Sequence, residues 1–170
     1  LKKISLIAVF AVMLFAVLFT ASAQEKKYEV YSVGFYNLEN LFDTIHDYGK
    51  NDYEFLPDGT NKWGTLKYTN KLKNMATVLN EMGTDVVPVG MAAVGVSEIE
   101  NSRVLADLVN HEVLAPRGWD FVHIEGPDTR GVDCALLYNP KLFKPINSVL
   151  SPYITEDNDT TYKTRGFLVV

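Results

Sequence analysis

The sequence is poor in the residues that build several common kinds of site. Its 170 residues include one cysteine, Cys134, and three histidines. A single cysteine excludes an intramolecular disulfide framework and any zinc site with several cysteine ligands. The sequence also lacks the segment G-x-x-x-x-G-K that cradles phosphates and the segment G-x-S-x-G of many serine hydrolases. Two widespread designs, for nucleotide binding and for serine catalysis, are therefore not supported.

Positive charge is in short supply as well. The sequence has 16 Lys+Arg against 21 Asp+Glu, which gives a formal net charge of −5. This balance argues against a protein that coats nucleic acid through charge alone, and it leaves open an enzyme in which a bound cation meets a phosphate. Hydrophobic residues make up 47% of the chain, which is enough to fill the core of one globular domain.

The one long apolar run lies near the N-terminus. Residues 6–19 are apolar without interruption, follow two lysines, and precede a small-residue pattern that ends at Ala23. This combination predicts a signal peptide over residues 1–23, cleaved after Ala23, rather than a buried helix. The run is shorter than the roughly 20 residues of a membrane span, and the residue directly after the predicted cleavage site is Gln24 rather than a cysteine that could carry a lipid. We expect a secreted or periplasmic protein with no stable membrane anchor.

Both ends of the chain have features of a fragment. The sequence begins with Leu1 instead of methionine, and it stops at residues 166–170, in the middle of a predicted strand. A strand that stops there has no turn and no partner. We expect residues 24–170 to be one domain, truncated at the C-terminus.

The rest of the chain alternates between strand and helix patterns. Runs of β-branched and aromatic residues predict strands at 28–37, 91–96, 119–124, 132–138 and 164–170. Apolar residues at helical spacing predict one helix from Asn70 that ends at Gly83, and a second capped by Asn101 or Ser102. Residues 43–65 show neither pattern and predict a long surface loop, a kind of segment that is often functional. The order of elements predicts an α/β fold.

Polar side chains directly follow two of the predicted strands. Asn37 and Glu39 come at the end of the first strand, and Glu98 comes at the end of the second. Ligands of open α/β sheets bind outside the ends of neighbouring strands, so adjacent strands would bring these side chains to one crevice. Amide and carboxylate oxygens suit Mg²⁺, Mn²⁺ or Ca²⁺. Two simpler interpretations stay open: Asn37 and Glu39 could cap a turn, and Glu98 could pair with a surface lysine.

The chain contains three distinctive segments, which follow one another in the order FYNLENLFDT, VGVSEIEN and TRGVDCALLYNP. Together they resemble the endonuclease/exonuclease/phosphatase family, which has the deoxyribonuclease I-like fold, and most closely its secreted bacterial members. The resemblance spans residues 29–170. It implies the N-terminal half of a four-layer α/β sandwich, and a strand-end Asn and a strand-end Glu that hold a divalent cation beside the scissile phosphate.

The resemblance also implies roles for individual residues. Asn37 and Glu98 match the family's catalytic, metal-binding Asn and Glu, and Glu39 lies where some members place a second acid near the metal. Arg130 and Asp133 lie in the segment that lines the substrate groove. Two simpler interpretations stay open: Arg130 could be a turn arginine in water, and Asp133 could pair with a structural partner. The implied cofactor is Mg²⁺, with Mn²⁺ as a possible substitute.

The resemblance is incomplete in its catalytic residues. The family's later strand histidine, its Gly-Asp-x-Asn segment and its terminal Ser-Asp-His do not occur in this sequence. None of the three histidines present, His46, His111 and His123, lies in a segment that matches these motifs. All three are expected to be surface or packing residues. The base that activates water would then come from the rest of a longer protein, and this chain alone is expected to be inactive.

Two classes of function follow. The first is the front part of a secreted, divalent-metal-dependent phosphoesterase whose substrate is a phosphodiester, with nucleic acid first; a phosphomonoester or a lipid head group is the alternative substrate. The second is a truncated, non-catalytic secreted binding protein. Half a sandwich would leave an apolar face and sheet edges open, so the isolated chain should aggregate or dimerise. The sequence gives no evidence of a protein partner.

Overall fold

Strands and helices alternate along the residues that the computed structural model describes, 28–156 and 161–170, of which residues 31–170 form one unit. The elements are β1 (Ser32–Leu41), α1 (Thr65–Glu81), β2 (Met91–Ile99), α2 (Ser102–Val109), β3 (Asp120–His123), β4 (Asp133–Tyr138), β5 (Val149–Ser151) and β6 (Phe167–Val169). The predicted signal peptide lies outside the described residues. Among those residues, no helix has the length and apolarity needed to cross a membrane.

Four strands form a mixed sheet in the order β1-β2-β4-β3. β1 and β2 are parallel, and the chain between them crosses over through α1, because parallel neighbours cannot be joined by a tight turn. β4 runs antiparallel to β2 on one side and to β3 on the other. The predicted α/β class is confirmed, and β1 and β2 are adjacent, which was the condition for Asn37 and Glu98 to share one crevice.

Both helices pack on one face of this sheet. α1 buries a stripe at helical spacing, made of Tyr68, Leu72, Ala76 and Leu79. α2 buries the apolar residues that predicted it, namely Val104, Leu105, Leu108 and Val109. The two stripes join sheet residues such as Val94, Val96 and Leu137 in one hydrophobic core. Burial of these stripes is what fixes the helices in place, since helix propensity alone is weak.

The ends of the elements differ from the sequence-based boundaries. β1 begins later and ends later than predicted, at Ser32 and Leu41. α1 begins at Thr65 instead of Asn70. The prediction started too late because only Tyr68 is buried in the first turns, and the regular apolar spacing that signals a helix begins after it. Of the two predicted caps of α2, Asn101 is the one used: its Oδ1 accepts hydrogen bonds from the first turn of the helix.

The face of the sheet opposite the helices is largely open. Val33 and Phe35 of β1 are 70% and 64% exposed. β5, which was not predicted, pairs with β6 as a separate two-stranded sheet. A groove lined by Phe35 and Leu136 of the large sheet and by Phe167 of β6 runs between the two sheets. The small sheet thus covers part of the face that the helices leave open.

Candidate functional site

Two parallel strands bring the predicted metal ligands to one edge of the sheet. The register pairs Asn37 of β1 with Ser97 of β2, so Asn37 and Glu98 lie on adjacent strands at the same edge. β4 begins at this edge with Asp133, because it runs antiparallel to β2. The loop after β1 and the loop before β4 therefore border the same edge. We refer to Asn37, Glu39 and Glu98 as the strand-end site.

The backbone is left-handed at two residues of this site and at the neighbouring Asn40, none of which is glycine. The φ angle is 51° at Glu39, 61° at Asn40 and 60° at Glu98. Each such residue costs roughly 1–2 kcal/mol, and residues held in this way cluster at functional sites. The conformation breaks the regular strand alternation, so Glu98 has a side chain that is 25% exposed between the buried Ser97 and Ile99.

Asn37 and Glu39 also make local contacts. Oδ1 of Asn37 accepts a hydrogen bond from the backbone N–H of Glu39 at 2.7 Å, the turn-capping contact that was the simpler interpretation. The carbonyl oxygen of Glu39 accepts a hydrogen bond from Nζ of Lys71 at 2.6 Å. The capping contact occupies one lone pair of the Asn37 oxygen and leaves the second for a ligand. Capping and cation binding are therefore compatible at Asn37.

Three cations interact electrostatically with the carboxylates of the strand-end site. Nη1 of Arg165 lies 3.6 Å from Oε1 of Glu98, a long ion pair. The pKa of Arg130 is raised, chiefly by hydrogen bonding to a neighbouring aspartate and in smaller part by the charge of Glu98. Burial lowers the pKa of Lys71, while the charges of Glu39 and Glu98 act in the opposite direction. These cations therefore offset part of the negative charge of Glu39 and Glu98.

Arg130 is anchored by a buried neighbour. Its Nε and Nη2 donate hydrogen bonds to the carboxylate of Asp128 at 3.1 and 2.9 Å. Burial alone would raise the pKa of Asp128, but the hydrogen bonds and charge of Arg130 hold that pKa below its ordinary value. The Arg130 side chain is still 59% exposed. Its substrate-binding role stays a prediction, with the guanidinium now fixed in place at the edge.

Asp133 points into the protein. Its side chain is 2% exposed, and its Oδ2 accepts a hydrogen bond from the backbone N–H of Gly126 at 3.0 Å. The same oxygen lies 3.1 Å from Nε2 of His123, whose Nδ1 lies 2.9 Å from Oγ of Ser102. The structural pairing that was the alternative for Asp133 is therefore present.

Sequence reasoning treated His123 as a packing residue and missed its surroundings. One ligand atom each from His123, Glu125 and Asp133 lies within 4.8 Å of the others, so these residues could hold a metal ion. Glu125 is the exposed member, and its Oε1 pairs with Nζ of Lys50 at 2.8 Å. The turn-rich segment between the two predicted strands was a signal for a hairpin. It does not specify which residues pair across the hairpin, and it is this register that brings His123 to Asp133.

The loop of residues 43–64 is tied down beside the strand-end site. Arg103 donates hydrogen bonds to Asp43 through Nε and to Asp47 through Nη2, and the backbone N–H of Asp43 donates to Oε2 of Glu100 at 2.8 Å. Burial raises the pKa of Glu100 to about 8, with nearby carboxylates adding to the effect and the Asp43 hydrogen bond opposing it. The predicted surface loop is thus held by side chains of α2 and of the residue that follows β2.

Comparison with known proteins agrees with this arrangement. A family model described as "Endonuclease/Exonuclease/phosphatase family" matches residues 32–170. That range includes all the strands and helices of the structure, as well as the strand-end site. No curated protein and no solved structure matches the chain. The chain therefore belongs to the endonuclease/exonuclease/phosphatase family, whose members are hydrolases that usually use a divalent metal.

Proposed function

We propose that this chain carries the cation- and phosphate-binding part of a divalent-metal-dependent phosphoesterase that hydrolyses phosphodiester bonds, with nucleic acid as the leading substrate class. The observation that carries the proposal is the placement of Asn37 and Glu98 on adjacent parallel strands, at an edge where the backbone is left-handed. Membership of a family of metal-dependent hydrolases supports the same reading of that edge.

The donor atoms of the strand-end site fit a hard divalent cation. Glu98 offers a partly exposed carboxylate, Asn37 an exposed amide oxygen and Glu39 a second carboxylate. Mg²⁺ is usually held by one or two carboxylates and several water molecules, and Mn²⁺ accepts similar ligands. When bound, the cation polarises a phosphoryl oxygen and neutralises developing negative charge.

The arginines at the edge bind the phosphate in this proposal. Arg165 is only loosely paired with Glu98, at 3.6 Å, so a phosphate group can draw it away. Asp128 occupies the Nε–Nη2 side of the Arg130 guanidinium, and the Nη1–Nη2 side is left to donate to two phosphate oxygens. Asp133 contributes to substrate binding by positioning, because it holds Gly126 at the base of the loop that carries Arg130.

We assign the activation of water to groups outside the described residues. His46, His111 and His123 each use a ring nitrogen for hydrogen bonds to residues other than Asn37, Glu39 and Glu98. In the proposal, a histidine and aspartates from a further segment remove the proton from the attacking water. The chain on its own is then expected to bind cation and phosphate without turning over substrate.

The proposal extends to architecture and location. The pairing of β5 with β6, next to the face that the helices leave open, supports a second sheet and hence a four-layer α/β sandwich. The apolar run at residues 6–19 supports export through a signal peptide. Mass spectrometry of the exported protein should then find Gln24 at its N-terminus.

The experiment uses the protein as its gene encodes it, with any segment that precedes or follows this chain. The purified protein is assayed with Mg²⁺ or Mn²⁺ against a duplex oligonucleotide, a nitrophenyl phosphomonoester and vesicles that contain a phosphorylated lipid. We expect cleavage of the oligonucleotide that stops when the cation is chelated. Preferential hydrolysis of the monoester or the lipid would replace the substrate class. Binding without hydrolysis of any of the three would favour a non-catalytic binding protein.

A further inference from the structure

A second group of metal-ligating side chains lies on the β3–β4 hairpin and shares no residue with the strand-end site. We propose that His123, Glu125 and Asp133 bind a divalent transition-metal ion of the Zn²⁺ or Co²⁺ type. The inference does not need the proposed hydrolysis, because it rests on the hairpin geometry and on a different donor set. We refer to the three residues as the hairpin site.

The three donors are spaced for one ion. One ligand atom from each lies within 4.8 Å of the others, and the ligand atoms of a tetrahedral zinc ion are about 3.4 Å apart. Nε2 of His123 and Oδ2 of Asp133 are already 3.1 Å apart. Glu125 is exposed, so rotation of its side chain brings its carboxylate in without moving the backbone.

Two of the ligands are held in advance. His123 and Asp133 have side chains that are 3% and 2% exposed, and Oγ of Ser102 lies 2.9 Å from Nδ1 of His123. An outer hydrogen bond of this kind fixes the ring, and an ion would replace the hydrogen bond between Nε2 of His123 and Oδ2 of Asp133 by using both atoms as ligands. The approach of Asp133 to Gly126 is so close that a Cβ at residue 126 would lie 2.3 Å from Oδ1 of Asp133.

The ammonium group of Lys50 supplies the positive charge beside Glu125 that a bound metal ion would otherwise supply. Its Nζ lies 2.8 Å from Oε1 of Glu125 and also donates hydrogen bonds to the carbonyl oxygens of Gly126 at 2.9 Å and Asp128 at 3.2 Å. If Glu125 turns to a metal ion, Lys50 keeps both carbonyl partners. The ammonium group and the ion therefore compete for one carboxylate, and removal of the ammonium should strengthen metal binding.

The donor types separate the two sites by ion. The hairpin site offers an imidazole nitrogen and two carboxylates, a set that favours zinc, cobalt or nickel over magnesium. The strand-end site offers oxygen only, which suits magnesium. A chain that carries both should bind the two kinds of ion at different residues.

The test titrates the purified chain with Zn²⁺ in a calorimeter and with Co²⁺ by visible absorption. We expect Glu125→Gln and His123→Gln to weaken Zn²⁺ binding by at least about 10-fold and Lys50→Gln to strengthen it. Glu98→Gln, at the strand-end site, and Glu112→Gln, at an exposed position elsewhere, serve as controls and should leave Zn²⁺ binding unchanged. Circular dichroism verifies the fold of each variant, and the exposed Glu125 keeps the test informative if His123→Gln unfolds.

Three results would overturn the inference: no Zn²⁺ or Co²⁺ binding at millimolar concentration, unchanged binding in Glu125→Gln, or loss of binding only in Glu98→Gln. Weaker Zn²⁺ binding in Lys50→Gln would also contradict it, because the removal of a cation that competes for Glu125 should strengthen the binding of the metal ion. Mg²⁺-dependent hydrolysis is measured separately, so the hairpin site can fail while the proposed function stands, and the reverse.

Discussion

Individual residues at the strand-end site adopt a conformation that strand residues ordinarily avoid. Glu39, Asn40 and Glu98 all have positive φ angles, although none of them is glycine. An L-residue is destabilised in this region because its Cβ approaches the following carbonyl oxygen. The presence of three such side chains at one edge points to a role of the side chains themselves, since glycine would fit the backbone better.

The first prediction concerns the replacement of Glu98 by glycine. Glu98→Gly removes roughly 1–2 kcal/mol of left-handed strain and adds about 0.5–1 kcal/mol of chain entropy. The long, partly exposed pair with Arg165 contributes little. We therefore expect the free energy of unfolding, measured with urea, to stay constant or to rise by about 1 kcal/mol. A decrease of more than about 2 kcal/mol would mean that the Glu98 side chain is mainly structural.

The second prediction concerns acid stability and Arg130. Because Arg130 holds the pKa of Asp128 below its ordinary value, the carboxylate stabilises the fold above the unfolded pKa of about 3.9, and this contribution disappears as the pH falls through the lowered pKa. In Arg130→Met, only the backbone hydrogen bond of residue 130 and the charge of Arg165 still oppose the effect of burial on the pKa of Asp128, so the loss should begin at higher pH. Urea unfolding between about pH 2 and 6 measures this. An acid profile identical to that of the parent chain, or an equal shift in the exposed-lysine control Lys73→Met, would contradict it.

At the scale of elements, the predictable features are those set by local spacing. The buried residues of α1 and α2 recur every three or four positions. Residues at this spacing lie on one side of a helix, so the sequence alone predicts both helices. The hydrogen-bond register of β3 against β4, which brings His123 to Asp133, depends on contacts across the hairpin that residue types do not encode. The left-handed turn that extends β1 to Leu41 is likewise set by its neighbour β2.

The third prediction tests the cap of α2. Asn101 accepts hydrogen bonds from the N–H groups of Arg103 and Val104, and its Nδ2 donates to Asp47 at 2.7 Å. Asn101→Ala should lower the free energy of unfolding by about 1–2 kcal/mol. Asn74→Ala, at an exposed position inside α1, is the matched control and should be neutral or slightly stabilising. Equal effects of the two substitutions in thermal unfolding would show that the cap contributes nothing.

The molecule as a whole is unevenly covered. Helices protect one face of the large sheet, while the other keeps Val33 and Phe35 exposed next to a groove. The ring of Phe35 lies across Gly95, where an added Cβ would come within 2.9 Å of it. An apolar face of this kind on a chain in water favours contact with a second apolar face.

The fourth prediction is that the purified chain self-associates through this face. Sedimentation velocity at micromolar concentration should show species larger than a monomer, and Phe35→Lys should shift the distribution toward the monomer. Leu66→Lys removes an apolar side chain that is similarly exposed on α1, at 74%, and should leave the association unchanged. A monomeric parent chain with one sharp boundary and a cooperative melting transition would contradict the prediction.

The most direct test of the central claim compares two carboxylates in the protein as its gene encodes it. We predict that Glu98→Gln lowers the rate of Mg²⁺-dependent phosphodiester cleavage by at least about 100-fold without lowering the melting temperature. The exposed Glu112→Gln should cleave at the parent rate. Equal rates for the parent and Glu98→Gln would show that Glu98 is a surface acid, and the strand-end site would then not be the catalytic centre.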